Sequence, residues 1–85
     1  MRVKVRLFAV ARQVAGRSEV VVELDEPATV GDLKRALGAA VPELVSIMPR
    51  LMIAVGTEYA DDARPLAADD DVAVIPPVSG GGPAR

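Results

Sequence analysis

The stretch Asp71-Val72-Ala73-Val74-Ile75 decides the fold, because its last four residues are apolar on both sides of an extended chain. Such a run is typical of a strand that is covered on both faces of a sheet. A proline pair follows at once and prevents the strand from continuing. The sequence therefore predicts a last strand that lies in the middle of a sheet.

Four other segments have strand character. Residues 2–8 alternate basic and apolar side chains, and residues 19–24 repeat the alternation with valine and leucine. A period of two is that of a half-buried strand. Residues 51–55 are apolar over the length of a strand, and a turn at residues 56–57 leads to residues 58–60, which fit a short edge strand.

Two segments are predicted to be helical. Residues 9–15 carry no strand pattern and end at Gly16, which suits the left-handed C-terminal cap of a helix. The main helix is predicted to begin at Thr29, whose side chain can accept a hydrogen bond from the N–H of Asp32 in a capping box. Its apolar stripe consists of Val30, Leu33, Leu37 and Val41.

The segments around the main helix carry weaker signals. Gly38 costs about 1 kcal/mol relative to alanine inside a helix, so it is expected where a neighbouring backbone comes close. Residues 34–35 are expected to face water, and residues 42–48 are expected to form a second short helical turn. Residues 61–71 are polar, with Leu66 as their single apolar anchor.

The order of these elements predicts an α+β fold. A chain of 85 residues forms one domain with one core. One sheet with the main helix laid across one face buries the apolar stripes economically. The domain is predicted to cover residues 1–75, and residues 76–85 are predicted to form an extended C-terminal tail.

The composition excludes several classes of function. The net charge is −2 and the two signs are mixed, so no long-range field favours nucleic acid or an anionic membrane. The chain has no Cys and no His, which excludes disulfides, thiolate nucleophiles, imidazole acid–base catalysis and the usual zinc ligands. No apolar run approaches the length of a membrane span. We expect a cytoplasmic protein with no nucleic-acid or membrane partner and no bound cofactor of its own.

Two groups of charged residues could bind ions, but each has a simpler interpretation. The basic row Arg2, Lys4 and Arg6 could bind phosphate, and a solvated strand face is the favoured alternative. The acidic runs at residues 61–62 and 69–71 lack the alternating spacing and the central glycine of a calcium loop. Solvated acidic turns are therefore the favoured interpretation.

The C-terminal tail reads Pro76-Pro77-Val78-Ser79, then Gly80-Gly81-Gly82, then Pro83-Ala84-Arg85. Proline removes a backbone donor and glycine maximises chain entropy, so neither helix nor sheet is expected there. The glycine run also lacks the strand-to-helix context of a phosphate-binding loop. A thin arm of this kind can present its backbone or its terminal carboxylate to another protein's active site, and the alternative is a frayed end.

Three segments, in this order along the chain, resemble the small, sulfur-carrying subunit of molybdopterin synthase, the MoaD family of ubiquitin-like proteins. They are Leu7-Phe8-Ala9-Val10-Ala11-Arg12, Thr29-Val30-Gly31-Asp32-Leu33, and residues 65–81 with their Pro-Pro-Val-Ser-Gly-Gly ending. The resemblance implies a β-grasp fold, in which a mixed sheet of about five strands has one main helix across one face. It also implies a carrier and not a catalyst.

The resemblance implies a defined chemistry for the tail. In this family a MoeB-like enzyme, related to ubiquitin-activating enzymes, uses ATP to adenylate the terminal glycine carboxylate, which is then converted to a thiocarboxylate. The tail next inserts into the large subunit of molybdopterin synthase, which transfers the sulfur to a pyranopterin precursor of the molybdenum cofactor. By position, Gly80 and Gly81 match the terminal pair of the family, with Gly81 carrying the sulfur.

The remaining site residues are also carried over by position. Arg12 matches a basic residue that lies near the partner interface in relatives, and Ile75 falls where relatives have an apolar docking residue. The tail residues expected to contact the partner are Pro76, Pro77 and Val78.

The chain departs from the family in continuing for four residues beyond Gly81. While residues 82–85 remain, the carbonyl of Gly81 belongs to an amide and cannot be adenylated. Either a processing protease removes these residues, or this copy is not a working carrier. The alternatives to molybdopterin synthesis are a carrier for thiamine or cysteine synthesis, and a ubiquitin-like protein modifier or binding module.

Overall fold

The computed structural model describes residues 1–76, and these form a mixed five-stranded sheet, a two-stranded sheet and two α-helices. The strands are β1 (Arg2–Leu7), β2 (Glu19–Glu23), β3 (Ala28–Thr29), β4 (Met52–Val55), β5 (Glu58–Ala60), β6 (Pro65–Leu66) and β7 (Val72–Ile75). The helices are α1 (Ala9–Ala15) and α2 (Val30–Ala40), and two 3₁₀ turns cover Pro42–Leu44 and Met48–Arg50.

The main sheet has the strand order β2-β1-β7-β4-β5. Its middle strand, β7, runs parallel to β1 and antiparallel to β4. The apolar run Val72–Ile75 is thus hydrogen-bonded on both of its edges. The predicted central position of residues 71–75 is confirmed, and so is the α+β class with a mixed five-stranded sheet.

The sheet has one buried face and one open face. In β1 the odd-numbered residues are buried and the basic residues alternate with them on the open face. The register pairs Val5 with Val72 and Leu7 with Val74, so β7 turns these two valines toward the same buried face. Leu33 and Leu37 of α2 are fully buried in the same core. The amphipathic alternation of β1 therefore determines the side of the sheet on which the core lies.

The start of α2 is the predicted capping box. Thr29 Oγ1 accepts a hydrogen bond from the backbone N–H of Asp32 over 3.3 Å, and the Thr29 N–H donates to Asp32 Oδ2 over 2.9 Å. These bonds satisfy backbone donors that the first turn of a helix leaves without partners. The hydrogen bond from the Thr29 backbone also lowers the pKa of the Asp32 carboxyl.

Two glycines have the backbone conformations that the sequence predicts. Gly16 ends α1 with φ of +75°, and its N–H donates to the carbonyl of Arg12 over 2.9 Å. Gly56 has φ of +64° in the turn between β4 and β5. Both lie in the left-handed region, which glycine adopts at little cost.

The segment from residue 61 to residue 71 is more structured than expected. Its strand β6 pairs with β3 to form a separate two-stranded sheet, in which Ala28 faces Leu66. The carbonyl of Asp62 accepts a hydrogen bond from the N–H of Gly31 over 2.9 Å, and its carboxylate bonds to Lys34 Nζ over 2.7 Å. Lys34 was expected to face water, and the structure instead places it half-buried against this loop. The ion pair holds the loop against the first turns of α2.

Two further expectations were wrong in detail. Residues 42–48 do not form one helical turn; the 3₁₀ geometry covers 42–44 and 48–50 instead, because Pro42 and Pro49 each occupy an early position of such a turn. Gly38 does meet a close neighbour, but that neighbour is a side chain and not backbone. A Cβ at this position would lie 3.2 Å from Cγ2 of Val45.

Candidate functional site

The candidate site lies at the end of the sheet where β1 and β7 both finish. Because these strands are parallel, the residues that follow each of them emerge at the same end. The backbone N–H of Phe8 donates to the carbonyl of Val74 over 3.1 Å, which extends the ladder by one residue. The start of α1 and the root of the C-terminal tail are thus held side by side.

Ile75 is the last residue of β7 and lies on the open face of the sheet, opposite Met52 of β4. It is half-buried, as is Pro76 after it. The tail therefore starts from the middle strand and not from an edge. Pro77, Val78, Gly80 and Gly81, which the sequence singled out as the working part of the tail, lie outside the described residues, so their roles stay predictions.

An apolar strip surrounds the root of the tail on the open face. It is formed by alternate residues of three neighbouring strands, and we call it the open-face strip: Met52, Ala54, Tyr59, Ala73 and Ile75. Tyr59 is 56% exposed on the outer strand β5, whereas Ala73 is only 8% exposed in the centre. Apolar surface of this kind, next to a chain end, is typical of a docking site for another protein.

Arg12 lies on α1, at the same end of the sheet as the root of the tail. Its side chain is exposed, and within residues 1–76 it forms no ion pair. Arg6, Phe8 and Arg12 line a depression of about 200 Å³ together with Ser18 and Glu19. The guanidinium of Arg6 lies 5.5 Å from the centre of the Phe8 ring, within the range of a cation–π contact. Arg6 also lies opposite Ala73 of the open-face strip, so it stands between the strip and the depression that contains Arg12.

The two arginines of the basic row have local partners. Arg2 bonds to Glu23 over 2.8 Å, and this hydrogen bond lowers the pKa of the Glu23 carboxyl. Arg6 bonds to Asp71 over 3.0 Å. Both pairs are exposed, and pairs of this kind add little stability. The basic row is therefore a solvated strand face, which is the interpretation favoured from the sequence.

Carboxylates of the acidic runs accept hydrogen bonds from backbone N–H groups of their own loops. Asp61 accepts a hydrogen bond from the N–H of Ala63 over 3.0 Å, and Asp70 accepts one from the N–H of Ala67 over 2.8 Å. In the part of the chain that the structure describes, no three acidic residues come together in a way that could hold a metal ion.

A larger, shallow depression of about 530 Å³ lies at the opposite end of the sheet, near the start of β1. Its lining includes Met1, Pro27 and Leu66, with Glu26 as its one charged side chain. A single exposed carboxylate offers no convergent set of polar groups. This larger depression therefore has fewer charged side chains that could bind a ligand than the smaller one near Arg12.

Two residues of the site were not singled out from the sequence. Phe8 is 39% exposed and Tyr59 is 56% exposed. This is unusual in a small domain, because aromatic side chains bury the largest apolar areas when they lie in the core. The signal was present in the alternation of the strands. Phe8 comes two residues after Arg6, so the alternation of β1 assigns it to the open face with Arg6. Tyr59 pairs with Ala54 on the same face.

Known proteins are similar to this chain over nearly its full length, including the elements that form the candidate site. The ThiS family profile matches residues 5–81, which include most of the sheet, both α-helices and the double glycine of the tail. This chain belongs to the ThiS family. The family match and the similarities below confirm the resemblance on which the sequence analysis relied.

Two relatives of this ThiS-family chain cover nearly all of it. The molybdopterin synthase sulfur carrier subunit of Chlamydomonas reinhardtii is 42% identical over 83 residues, which is 95% of this chain and 100% of the relative. Small archaeal modifier protein 1 of Haloferax volcanii is 38% identical over 84 residues, or 89% of this chain and 97% of the relative.

Solved structures confirm the fold of the ThiS-family chain. The crystal structure of SAMP1 from Haloferax volcanii gives a TM-score of 0.85 at 36% identity, covering 95% of this chain and 100% of that one. A complex of subunits 1 and 2 of molybdopterin-converting factor from Helicobacter pylori contains a chain of the same fold, with a TM-score of 0.67 at 24% identity, covering 95% and 100%. The fold is the ubiquitin-like β-grasp. Within residues 1–76, neither helix has the length and apolar character needed to cross a membrane.

Proposed function

We propose that this chain is the sulfur carrier subunit of a molybdopterin synthase and serves the synthesis of the molybdenum cofactor. The observation that carries the proposal is the 42% identity, over the whole length of the relative, with a protein named as such a subunit. Since that similarity includes the β-grasp body as well as the tail, it concerns the docking surface and the reactive end together.

The chemistry resides in the carboxylate of Gly81. A carboxylate is a poor acyl donor, so an adenylating enzyme of the MoeB type first joins it to the α-phosphate of ATP, and pyrophosphate leaves. Hydrosulfide, delivered by a sulfur donor, then displaces AMP and leaves a thiocarboxylate. Glycine at the end removes side-chain bulk next to the attacked carbon. The carrier supplies no catalytic group of its own to these steps.

The root of the tail supports the delivery of that group. Six residues from Pro76 to Gly81 span about 20 Å at ~3.3 Å each, which is enough to enter an active site from a docked body. Pro76 and Pro77 restrict the chain, so less entropy is lost when the tail is inserted. The open-face strip around Ile75 is the surface on which the large subunit docks, and the exposed Arg12 is at the same end of the sheet as the root of the tail.

Processing is part of the proposal. Residues 82–85 must be removed before Gly81 has a carboxylate, so a protease that cleaves after Gly81 acts before the adenylating enzyme. The experiment is intact mass spectrometry of the endogenous protein from cells that are making the cofactor. We expect a species that ends at Gly81, a fraction of it with one oxygen replaced by sulfur. If every molecule still ends at Arg85 in those cells, the proposal is wrong.

A second candidate is a ubiquitin-like modifier, which the similarity to small archaeal modifier protein 1 favours. It needs the same cleavage, but its product is an amide bond between Gly81 and a lysine of another protein. Peptides that carry a Gly-Gly remnant on lysine distinguish this outcome from the thiocarboxylate. A non-covalent binding module would differ from both, because removal of residues 82–85 would change nothing.

A carrier for thiamine or cysteine synthesis would share the fold and the thiocarboxylate. Rescue of two strains separates these possibilities, one that lacks its molybdopterin carrier and one that lacks its thiazole-forming carrier. We expect this chain, ended at Gly81, to restore cofactor synthesis in the first strain only.

A further inference from the structure

The outer strand β2 has backbone groups that face away from the sheet. The hydrogen bonds from Leu7 to Ser18 and from Leu24 to Met1, each 2.8 Å, mark the bonded pairs at the two ends of the β1–β2 ladder. Because bonded and non-bonded pairs alternate in an antiparallel ladder, Val20 and Val22 use their N–H and C=O groups toward β1. Glu19, Val21 and Glu23 direct theirs outward.

These outward groups are accessible in the described part of the chain. Within residues 1–76, no backbone or side-chain group bonds to the N–H or the C=O of residues 19, 21 and 23. The edge has neither proline nor lysine, which proteins commonly use to block such edges. Three donors and three acceptors are therefore available in the spacing that an added strand requires.

The side chains beside this edge form rows of alternating charge. On the open face, Glu19, Val21 and Glu23 make the outermost row, and Val21 is 52% exposed. The next row inward is basic, with Arg6, Lys4 and Arg2 directly opposite them. Since opposite charges on neighbouring strands stabilise a sheet and like charges destabilise it, a third row is favoured when it is basic at its ends and apolar at its centre.

A second copy of this chain does not meet that requirement. Residues 19–23 read Glu-Val-Val-Val-Glu, so antiparallel pairing of two β2 strands about Val21 places Glu19 of one copy opposite Glu23 of the other, twice. Pairing of two β2 strands is therefore opposed by like charges at both ends of the pair. The other edge of the sheet, β5, carries Glu58.

We propose that β2 is a docking edge for an extended segment of another protein, with the pattern basic–apolar–apolar–apolar–basic. The segment adds a sixth strand antiparallel to β2. Its basic residues lie opposite Glu19 and Glu23, and its central residue packs on Val21. The two residues that flank the centre point to the buried side of the sheet, next to Val20 and Val22. Strand β1 separates this edge from β7, which carries Ile75 and the root of the tail, so the carrier can be held by β2 while its tail is engaged elsewhere.

The test uses the full chain and synthetic peptides with blocked ends. The probe is Gly-Lys-Val-Val-Val-Lys-Gly, compared with the same peptide carrying Glu for Lys and with one N-methylated at the three residues that face Glu19, Val21 and Glu23. We expect NMR shifts and slowed amide exchange at Glu19, Val21 and Glu23. The Lys peptide should bind about tenfold or more tightly than the Glu peptide, and the N-methylated peptide should not bind.

Two variants locate the site. Val21→Pro removes an outward N–H and the side chain on which the segment packs, but no group that bonds to β1. Edge strands tolerate proline at such a position, so the variant should lose binding while the β1–β2 ladder persists. Glu19→Lys with Glu23→Lys should reverse the preference between the two peptides. Glu58→Lys, at the opposite edge, is the matched control and should leave both affinities unchanged.

Three results would overturn the proposal. They are equal binding of the Lys and Glu peptides, shifts confined to residues outside β2, and binding that survives N-methylation. Because the peptide comparison needs only the unmodified chain, it decides the matter even if Val21→Pro fails to fold. None of these outcomes depends on sulfur transfer.

Discussion

The backbone N–H of Phe8 donates a hydrogen bond to the carbonyl of Val74 over 3.1 Å, and this bond couples the segment after β1 to the end of the middle strand. Phe8 precedes α1, the helix that carries Arg12, whereas Val74 lies two residues before Pro76. The exposed guanidinium and the root of the tail therefore have a fixed relation, although they are far apart in sequence. Their placement can be tested by changing the surface that lies between them.

The first prediction concerns docking of the large subunit. Ile75→Asp places a charge in the open-face strip without emptying the core, because Ile75 is only half-buried. We expect affinity for the large subunit to fall about tenfold or more, as for a central residue of an interface. Isothermal titration calorimetry with the purified subunit measures it.

The control for this prediction is Val45→Asp, which introduces the same charge at an exposed valine next to Gly38 of α2, outside both the open-face strip and β2. It should leave the affinity for the large subunit within a factor of about two. Equal losses in the two variants would show that docking does not use the open-face strip.

The second prediction concerns the reactive end. A chain that stops at Gly81 should support exchange of pyrophosphate into ATP with the adenylating enzyme, because its glycine carboxylate is free. The chain that ends at Arg85 should be inactive in the same assay. Addition of a C-terminal Ala after Gly81 serves as the matched control, since it adds one small residue and should also abolish exchange. Equal exchange by the chains ending at Gly81 and Arg85 would refute the requirement for trimming.

The third prediction concerns the capping box of α2. Thr29→Ala removes the acceptor for the Asp32 N–H and should lower the free energy of unfolding by about 1 kcal/mol. For a domain of this size, that corresponds to a fall of roughly 4–8 °C in Tm. Urea denaturation followed by circular dichroism measures the change. Thr57→Ala, an exposed threonine in a turn, should change stability by less than about 0.5 kcal/mol.

The fourth prediction concerns pH. The Thr29 hydrogen bond lowers the pKa of Asp32 from its ordinary value of 3.8. The unfolded chain therefore binds more protons than the folded chain between the two pKa values, and stability rises with pH in that window. The contribution of Asp32 should be complete above pH 3.8 and should disappear as the pH falls through the lowered value.

The comparison for this pH effect is Asp32→Asn. It should lose the part of the acid dependence that belongs to position 32 while keeping an amide in the cap. Unfolding free energies at several pH values, together with an NMR titration of the Asp32 carboxyl, measure it. A carboxyl that titrates above 3.8 would contradict the prediction.

The fifth prediction concerns Gly38. A Cβ here would lie 3.2 Å from Cγ2 of Val45, but Val45 is 56% exposed and its side chain has room to move. Gly38→Ala should therefore stabilise α2, by up to about 1 kcal/mol. Gly56→Ala is the contrasting variant, because its φ of +64° strains any side chain and should make the protein less stable. Thermal unfolding compares the two, and a loss of stability in Gly38→Ala would mean that Val45 is held rigidly.

Much of the fold could be predicted because long elements carry periodic signals. The alternation of β1 and the apolar run of β7 predicted which strand is central and which face is buried. The capping box at Thr29 was predictable for a similar reason, since both of its partners lie within one helical turn. Patterns of this kind depend on residues that are close in sequence.

The rest depends on contacts between distant segments. The two-residue strands β3 and β6 are too short to show any period, and the pairing of Lys34 with Asp62 joins positions with no common pattern. Ala9 is the first residue of α1 and has φ of +52°, a conformation that glycine adopts far more often than alanine. The residues around it in the sequence do not predict this conformation. The partner contacts of Arg12 and Ile75 came from resemblance, because exposure alone does not say what a surface binds.

The parallel pairing of β1 with β7 also determines how the domain resists force. The N-terminus precedes β1 and the tail follows β7, so the two ends of the chain leave from opposite ends of adjacent strands. If the tail is pulled while the N-terminus is held, the force acts on the β1–β7 ladder in shear. The hydrogen bonds of this ladder must then break together and not one after another. An enzyme that pulls on residues 76–85 would thus load the β1–β7 ladder as a unit and would not peel it open from one end.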